Sequence, residues 1–208
     1  MKTTLLILLV ASAAAWSAQA GTTFTVLKST TTSEASGAMG NLASNGGYLY
    51  GTSFFGGGGS GNIFRFDPAT GTLGTVHSFT GGANGASPVS GVIRASNDRL
   101  YGTTSLGGNN SLGILFRVDK PGNFFEILHH FSTATGGSSN SGLIEGSDNK
   151  IYGISESGGA NGFGGVFRIN LDGTGHTLLR SFTGSFGATQ GKGNNTGGLI
   201  EAPGGYLY

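Results

Sequence analysis

The amino-acid sequence predicts an all-β protein, a β-propeller built of four-stranded antiparallel blades of about 51 residues each, present as an incomplete arc. Three observations carry this reading. A tyrosine motif returns at a fixed interval: Leu49-Tyr50-Gly51, Leu100-Tyr101-Gly102 and Ile151-Tyr152-Gly153 lie 51 residues apart each time. A second motif keeps step with it, Phe64-Arg65-Phe66, Phe116-Arg117-Val118 and Phe167-Arg168-Ile169. Each interval also holds four short stretches of β-branched and aromatic residues divided by Gly, Asn, Asp and Pro turn signals. Four strands in a repeat of about 40–50 residues is the pattern of a propeller blade. A β-helix has much shorter repeats, and a sandwich requires no period.

The elements follow in chain order. Residues 1–20 read as a signal peptide: Lys2 supplies a positive start, Leu5 to Val10 an apolar run, and Ala18-Gln19-Ala20 a small-residue cleavage site. The run is too short for a membrane span, which takes about 20 apolar residues, and no second candidate span follows. Residues 21–208 are then a partial propeller. It comprises a lone outer strand at 21–29, full blades at 40–80, 89–132 and 141–183, and the start of a further blade at 197–208. Thr22–Ser29 resembles the outer strand His176–Ser181, and is expected to complete a last blade in the full-length protein. Gly204 to Tyr208 repeats Gly46 to Tyr50, and the chain stops where earlier copies continue, so the missing blades of a longer chain are expected partners.

In the second full copy the first strand is expected near Val89–Ala95 and the second near Arg99–Ser105. The third is expected near Gly113–Asp119 and, after the turn Lys120-Pro121-Gly122-Asn123, the fourth near Phe124–Ser132. Alternation puts Leu115 and Arg117 on one face, Phe116 and Val118 on the other. Gly51, Gly102 and Gly153 sit inside a strand, where glycine is normally weakening, so a neighbouring group must approach closely there.

Composition excludes several function classes. The chain has 11 basic and 10 acidic residues, too few and too balanced for a phosphate-binding surface, so no nucleic acid is expected. Cysteine is absent, which removes disulfides and thiol chemistry. The 42 glycines are a large excess, but they recur in register and come with 14 Phe and 6 Tyr, material for a core.

Candidate chemistry is sparse. Asp67, Asp98, Asp119, Asp148 and Asp172 fall at turns, where Asp bonds nearby backbone amides. Arg94, Glu145 and Glu201 share the position after Gly-Val-Ile or Gly-Leu-Ile in the first strand, and are expected to line the channel. His77 and His129 share one repeat position, where the next copy has Arg180, and cannot converge on a metal. Gly56 to Gly61 matches G-x-G-x-x-G without the helix that motif requires. No cofactor and no catalytic set emerge. The best functional candidate is a face of long variable loops bearing Phe54, Phe55, Asn109, Asn110, Asn161 and Phe163, suited to a glycan or a surface protein.

The string running from Gly91-Val92-Ile93 through Leu100-Tyr101-Gly102-Thr103-Thr104, Gly107-Gly108 and Gly113-Ile114-Leu115-Phe116-Arg117 to Phe131-Ser132 resembles the Gloeo/Verruco (GloVer) tandem repeat. That repeat occurs in exported bacterial "choice-of-anchor" proteins. The resemblance implies bacterial origin, export and attachment at the cell surface, but no established activity. The expected function is therefore non-enzymatic recognition, adhesion or scaffolding. The alternative is a propeller lyase or glycoside hydrolase for extracellular polysaccharide, with its catalytic residues in missing blades.

Overall fold

The computed structural model describes residues 4–5, 26–119, 124–184 and 198–208. The predicted all-β propeller arc is what forms. β1 (Thr4–Leu5) pairs with β2 (Ser29–Thr30), and a four-residue helix α1 (Thr32–Ala35) follows. The first blade is β3 (Ala38–Asn45), β4 (Tyr48–Ser53), β5 (Asn62–Asp67) and β6 (Thr72–Ser78). The second is β7 (Ile93–Arg94), β8 (Leu100–Thr103), β9 (Ile114–Val118) and β10 (Phe125–His130). The third is β11 (Ile144–Glu145), β12 (Lys150–Ser155), β13 (Gly165–Asn170) and β14 (Thr177–Ser181), and β15 (Glu201–Ala202) with β16 (Tyr206–Leu207) begins another sheet. Each blade is a four-stranded meander in which every strand pairs with its chain neighbour.

The expected leader lies outside the described residues except for Thr4 and Leu5. The turn at 120–123 lies outside them altogether. Of the expected lone strand at 21–29, only residues 26–29 are described; Val26–Lys28 are not in a strand, and Ser29 pairs with Leu5.

The two faces of the second sheet form two layers of core, one with each neighbouring blade. Ala43, Tyr50, Ile63 and Phe79 of the first blade meet Val92, Leu100, Ile114, Phe116 and Val118 of the second. Ala95, Tyr101, Leu115 and Phe131 of the second meet Leu143, Ile151, Phe167 and Ile169 of the third. The alternation of β9 is thus as expected: Ile114, Phe116 and Val118 look back, and Leu115 looks forward. Fully burying each such side chain contributes about 1.5–3 kcal/mol, so the stack is held by apolar contact between sheets.

Strict alternation fails in the outer strand, and fails the same way each time. The register shifts opposite Ile63/Phe64, between Ile127 and His129, and opposite Val166/Phe167, leaving Val76, Leu128 and Leu179 as the extra residue. The recurring bulge turns two consecutive residues to the next blade: Leu128 packs in the layer between the second and third blades, and His129 stacks across it.

First strands of the second and third blades are shorter than expected, two residues instead of about seven. The backbone there serves the preceding blade. Ser90 and Ser139 carbonyls accept the hydroxyls of Thr52 and Thr103, and a methyl on Gly91 would lie 2.0 Å from the Asn41 carbonyl oxygen.

Candidate functional site

The loops between the second and third strands of a blade and the connections from one blade to the next emerge on one side and are tied together. Ala86 N–H donates to the Leu106 carbonyl (2.8 Å) and Gly108 N–H to that of Gly82 (2.8 Å). One blade on, Gly137 N–H donates to Ser157 (2.8 Å) and Gly159 N–H to Thr133 (2.7 Å), the same lattice shifted by 51 residues. At the root of each loop Gly61, Gly113 and Gly164 adopt positive φ. Their carbonyls accept the N–H of Phe79, Phe131 and Phe182 at 2.9, 3.1 and 2.9 Å, which joins the end of the outer strand to the loop root.

On this frame the predicted residues take different roles. Phe54 and Phe55 meet edge to face, centroids 4.5 Å apart. Phe55 remains 57 % exposed and Phe163 38 %. Leu106, which occupies Phe55's place in the next repeat, is 50 % exposed and was not among the expected binding residues. The 51-residue offset from Phe55 is the signal that could have found it. Asn110 and Asn161 are exposed, but each donates its amide to the carbonyl of the phenylalanine ending the outer strand, Phe131 at 2.9 Å and Phe182 at 3.1 Å. They brace the loops. Asn109 is exposed, and its backbone N–H donates to Nδ1 of His130.

Arg94, Glu145 and Glu201 are not among the residues that wall the cavity on the concave side. That cavity, about 580 Å³, is walled by Met39 and Asn41 of β3 and by Val89, Val92, Leu143 and Leu199 in the segments that lead into the later first strands. The glutamates instead clasp the preceding blade. Glu145 accepts from Ser96 N–H (2.7 Å) and Ser96 hydroxyl (2.6 Å); Glu201 accepts from Ser147 N–H (2.8 Å) and hydroxyl (2.7 Å). Arg94 folds onto Asp98 in its own turn (2.6 Å). With both oxygens of each carboxylate engaged, the two glutamates have a structural use that repeats from blade to blade.

The aspartates at turns are likewise explained. Asp67 accepts from the Ala69 N–H, which holds its pKa below the usual carboxylate value, and the Thr174 hydroxyl and N–H do the same for Asp172. Asp148 is lowered chiefly by the Lys150 ammonium. Asp119 pairs with Arg99 (2.7 Å). The repeated arginines stand directly opposite the repeated tyrosines, Tyr50–Arg65, Tyr101–Arg117 and Tyr152–Arg168. Between the second and third blades Tyr101 hydroxyl (2.9 Å) and Arg117 (3.1 Å) both donate to the Leu171 carbonyl, an inter-blade link.

Three of the four histidines stack between blades. His77 stacks on Phe125 (3.6 Å, 4°) between the first and second blades, and His129 stacks on His176 (4.1 Å, 1°) between the second and third. Among the described residues no three His, Asp or Glu side chains converge as a metal site would require. No described helix is long and apolar enough to cross a membrane.

Consecutive four-stranded meanders packed face to face, with their connecting loops gathered on one side, define a β-propeller protein of repeated blades. The chain belongs to the Gloeobacter/Verrucomicrobia repeat family, whose profile matches residues 12–208. Solved structures share the fold at low identity. TolB from Acinetobacter baumannii superposes with a TM-score of 0.51 at 16% identity, over 77% of this chain and 35% of that one. A putative TolB from Agrobacterium tumefaciens gives 0.52 at 13%, over 80% and 55%. The nidogen/laminin complex gives 0.51 at 14%, over 77% and 55%. The chain thus spans about a third to a half of the length of these structures. No curated protein matches it by sequence.

Proposed function

We propose that this chain is the blade-bearing part of an exported, non-enzymatic propeller that recognises a glycan or a protein at the cell surface through its loop face. The observation that supports this is the display of Phe55, Leu106 and Phe163 on loops whose backbones are tied by hydrogen bonds. Rigid loops hold exposed apolar side chains without an ordering cost on binding. Aromatic faces suit the apolar face of a sugar ring, and the exposed Asn109 adds a polar contact. The acids that an enzyme reading would use are engaged in clasps and turns.

The test is binding of the chain to a broad glycan panel and to a panel of bacterial surface proteins. Binding that falls about ten-fold or more in the double variant F55S/L106S, with an unchanged urea midpoint, supports the reading, since about 1.4 kcal/mol is a factor of ten. Absence of binding on both panels, or depolymerisation of a polysaccharide by the chain, overturns it.

A further inference from the structure

We infer that the stacked imidazoles of His129 and His176 make the contact between the second and third blades acid-sensitive: proton uptake from solvent by the pair loosens this one inter-blade layer, and a charge on both rings drives them apart. The geometry is specific. The rings lie 4.1 Å apart and parallel within 1°. They sit against Phe131 (5.4 Å from His129) and Phe167 (5.5 Å from His176), in the aromatic layer between two sheets. Nε2 of each finds no hydrogen-bond partner among the described residues. Two neutral rings can stack there. A cation formed on one faces a desolvated site, and a second cation faces the first at van der Waals distance.

Among the described residues, the elements around the pair bring no compensating acid to the rings. On β9, Arg117 is paired with Glu126 of β10 (2.6 Å), and Asp172, in the turn before β14, feels that same arginine. His130 is next in chain, and its charge would add to the repulsion at His129. Arg168 and Arg180 occupy register positions on the opposite face of the third blade from Phe167. Burial already holds both imidazoles below their ordinary pKa, His176 down to about 4.

The molecule contains its own control. One blade earlier the position of His176 is filled by Phe125, so His77 stacks on a phenyl ring at 3.6 Å. Burial lowers the pKa of His77 as well, but a cation there meets an aromatic face, a favourable pairing, and no second imidazole. Acid is therefore expected to act on the second contact more than on the first.

The experiment compares the whole chain with H176F, which copies the His–Phe stack of the first contact. Urea unfolding is followed at pH 7.5 and pH 5. The wild-type folding constant should fall roughly thirty-fold more than that of H176F, as one imidazole depressed from about 6.5 to about 4 requires. Equal falls in the two proteins overturn the inference. A second readout on the wild type stands even if H176F does not fold. NMR titration of the imidazole nitrogens should show His176 neutral at pH 5 and His129 titrating below its ordinary range, with amide protection in β10 and β13 lost first on further acidification. Titration of both rings at ordinary values overturns it.

Discussion

A methyl added at Gly102 would sit 2.5 Å from Cζ of Phe116, the residue directly across the ladder, and 3.1 Å from Val92. Gly51 meets Phe64 and Gly153 meets Phe167 in the same way, at 2.6 and 2.5 Å. The phenyl ring of the third strand lies over the glycine of the second, so the requirement is for space and not for an unusual φ. Replacing Gly102 by Ala should destabilise the protein by about 1–3 kcal/mol through overpacking, measured as a lower urea midpoint. A midpoint unchanged by G102A would mean the ring can move aside. Arg94 makes the contrasting case. Its pair with Asp98 is exposed on both sides, and R94A should change stability by less than about 0.5 kcal/mol in the same assay.

At the scale of the element, what matters is how one blade grips the next. Three devices recur: an apolar layer, a hydroxyl to the incoming backbone, and a clasp at the turn. Glu145 supplies the clasp between the second and third blades by accepting two bonds from Ser96. E145A should cost about 1 kcal/mol, a modest loss because the groups are solvent-exposed. Tyr101 is more deeply committed, fully buried with its hydroxyl bonded to Asn97 and to the Leu171 carbonyl. Y101F keeps the ring but leaves that carbonyl with Arg117 alone, and should cost about 1–2 kcal/mol. Thermal denaturation of the two variants checks the order; E145A costing more than Y101F would contradict it. The bulge in each outer strand is the element-level feature that alternation could not predict. It decides that His129 joins Leu128 in facing the third blade.

For the whole molecule the titration of buried groups sets the pH range of stability. His77, His129 and His176 are all depressed by burial, so the unfolded chain binds more protons than the folded one. Their contribution is present above the ordinary histidine pKa of about 6.5 and is lost as pH falls below it, for His176 toward about 4. The hydrogen-bonded carboxylates Asp67, Asp148 and Asp172 are depressed too, and their contribution is lost only below the ordinary carboxylate range. Acid denaturation followed by circular dichroism should therefore begin in the histidine range. A transition starting only below about pH 4 would show that the imidazoles carry no weight. The loop face has few charges, and its exposed apolar tips should be insensitive to pH over the same span.

The periodic spacing of Tyr, Gly, Phe and Arg was enough to determine the blade, its strand order and the facing of Leu115 and Phe116, because a repeat must bury the same face each time it stacks. Recognising glycine beside tyrosine as a place of close approach was also within reach, since only steric need explains a glycine inside a strand. The partners of polar side chains were not. Glu145 and Glu201 looked like a channel wall, and the structure turns them onto serines of the preceding blade. Asn110 and Asn161 looked like ligand contacts, and their amides brace the loops. His176 gave no sign of stacking on His129 beyond standing where Phe125 stands one repeat earlier. Apolar burial follows a pattern along the chain, whereas a hydrogen bond or a ring stack needs two groups at one distance and angle. Only the packing of one blade against the next sets those.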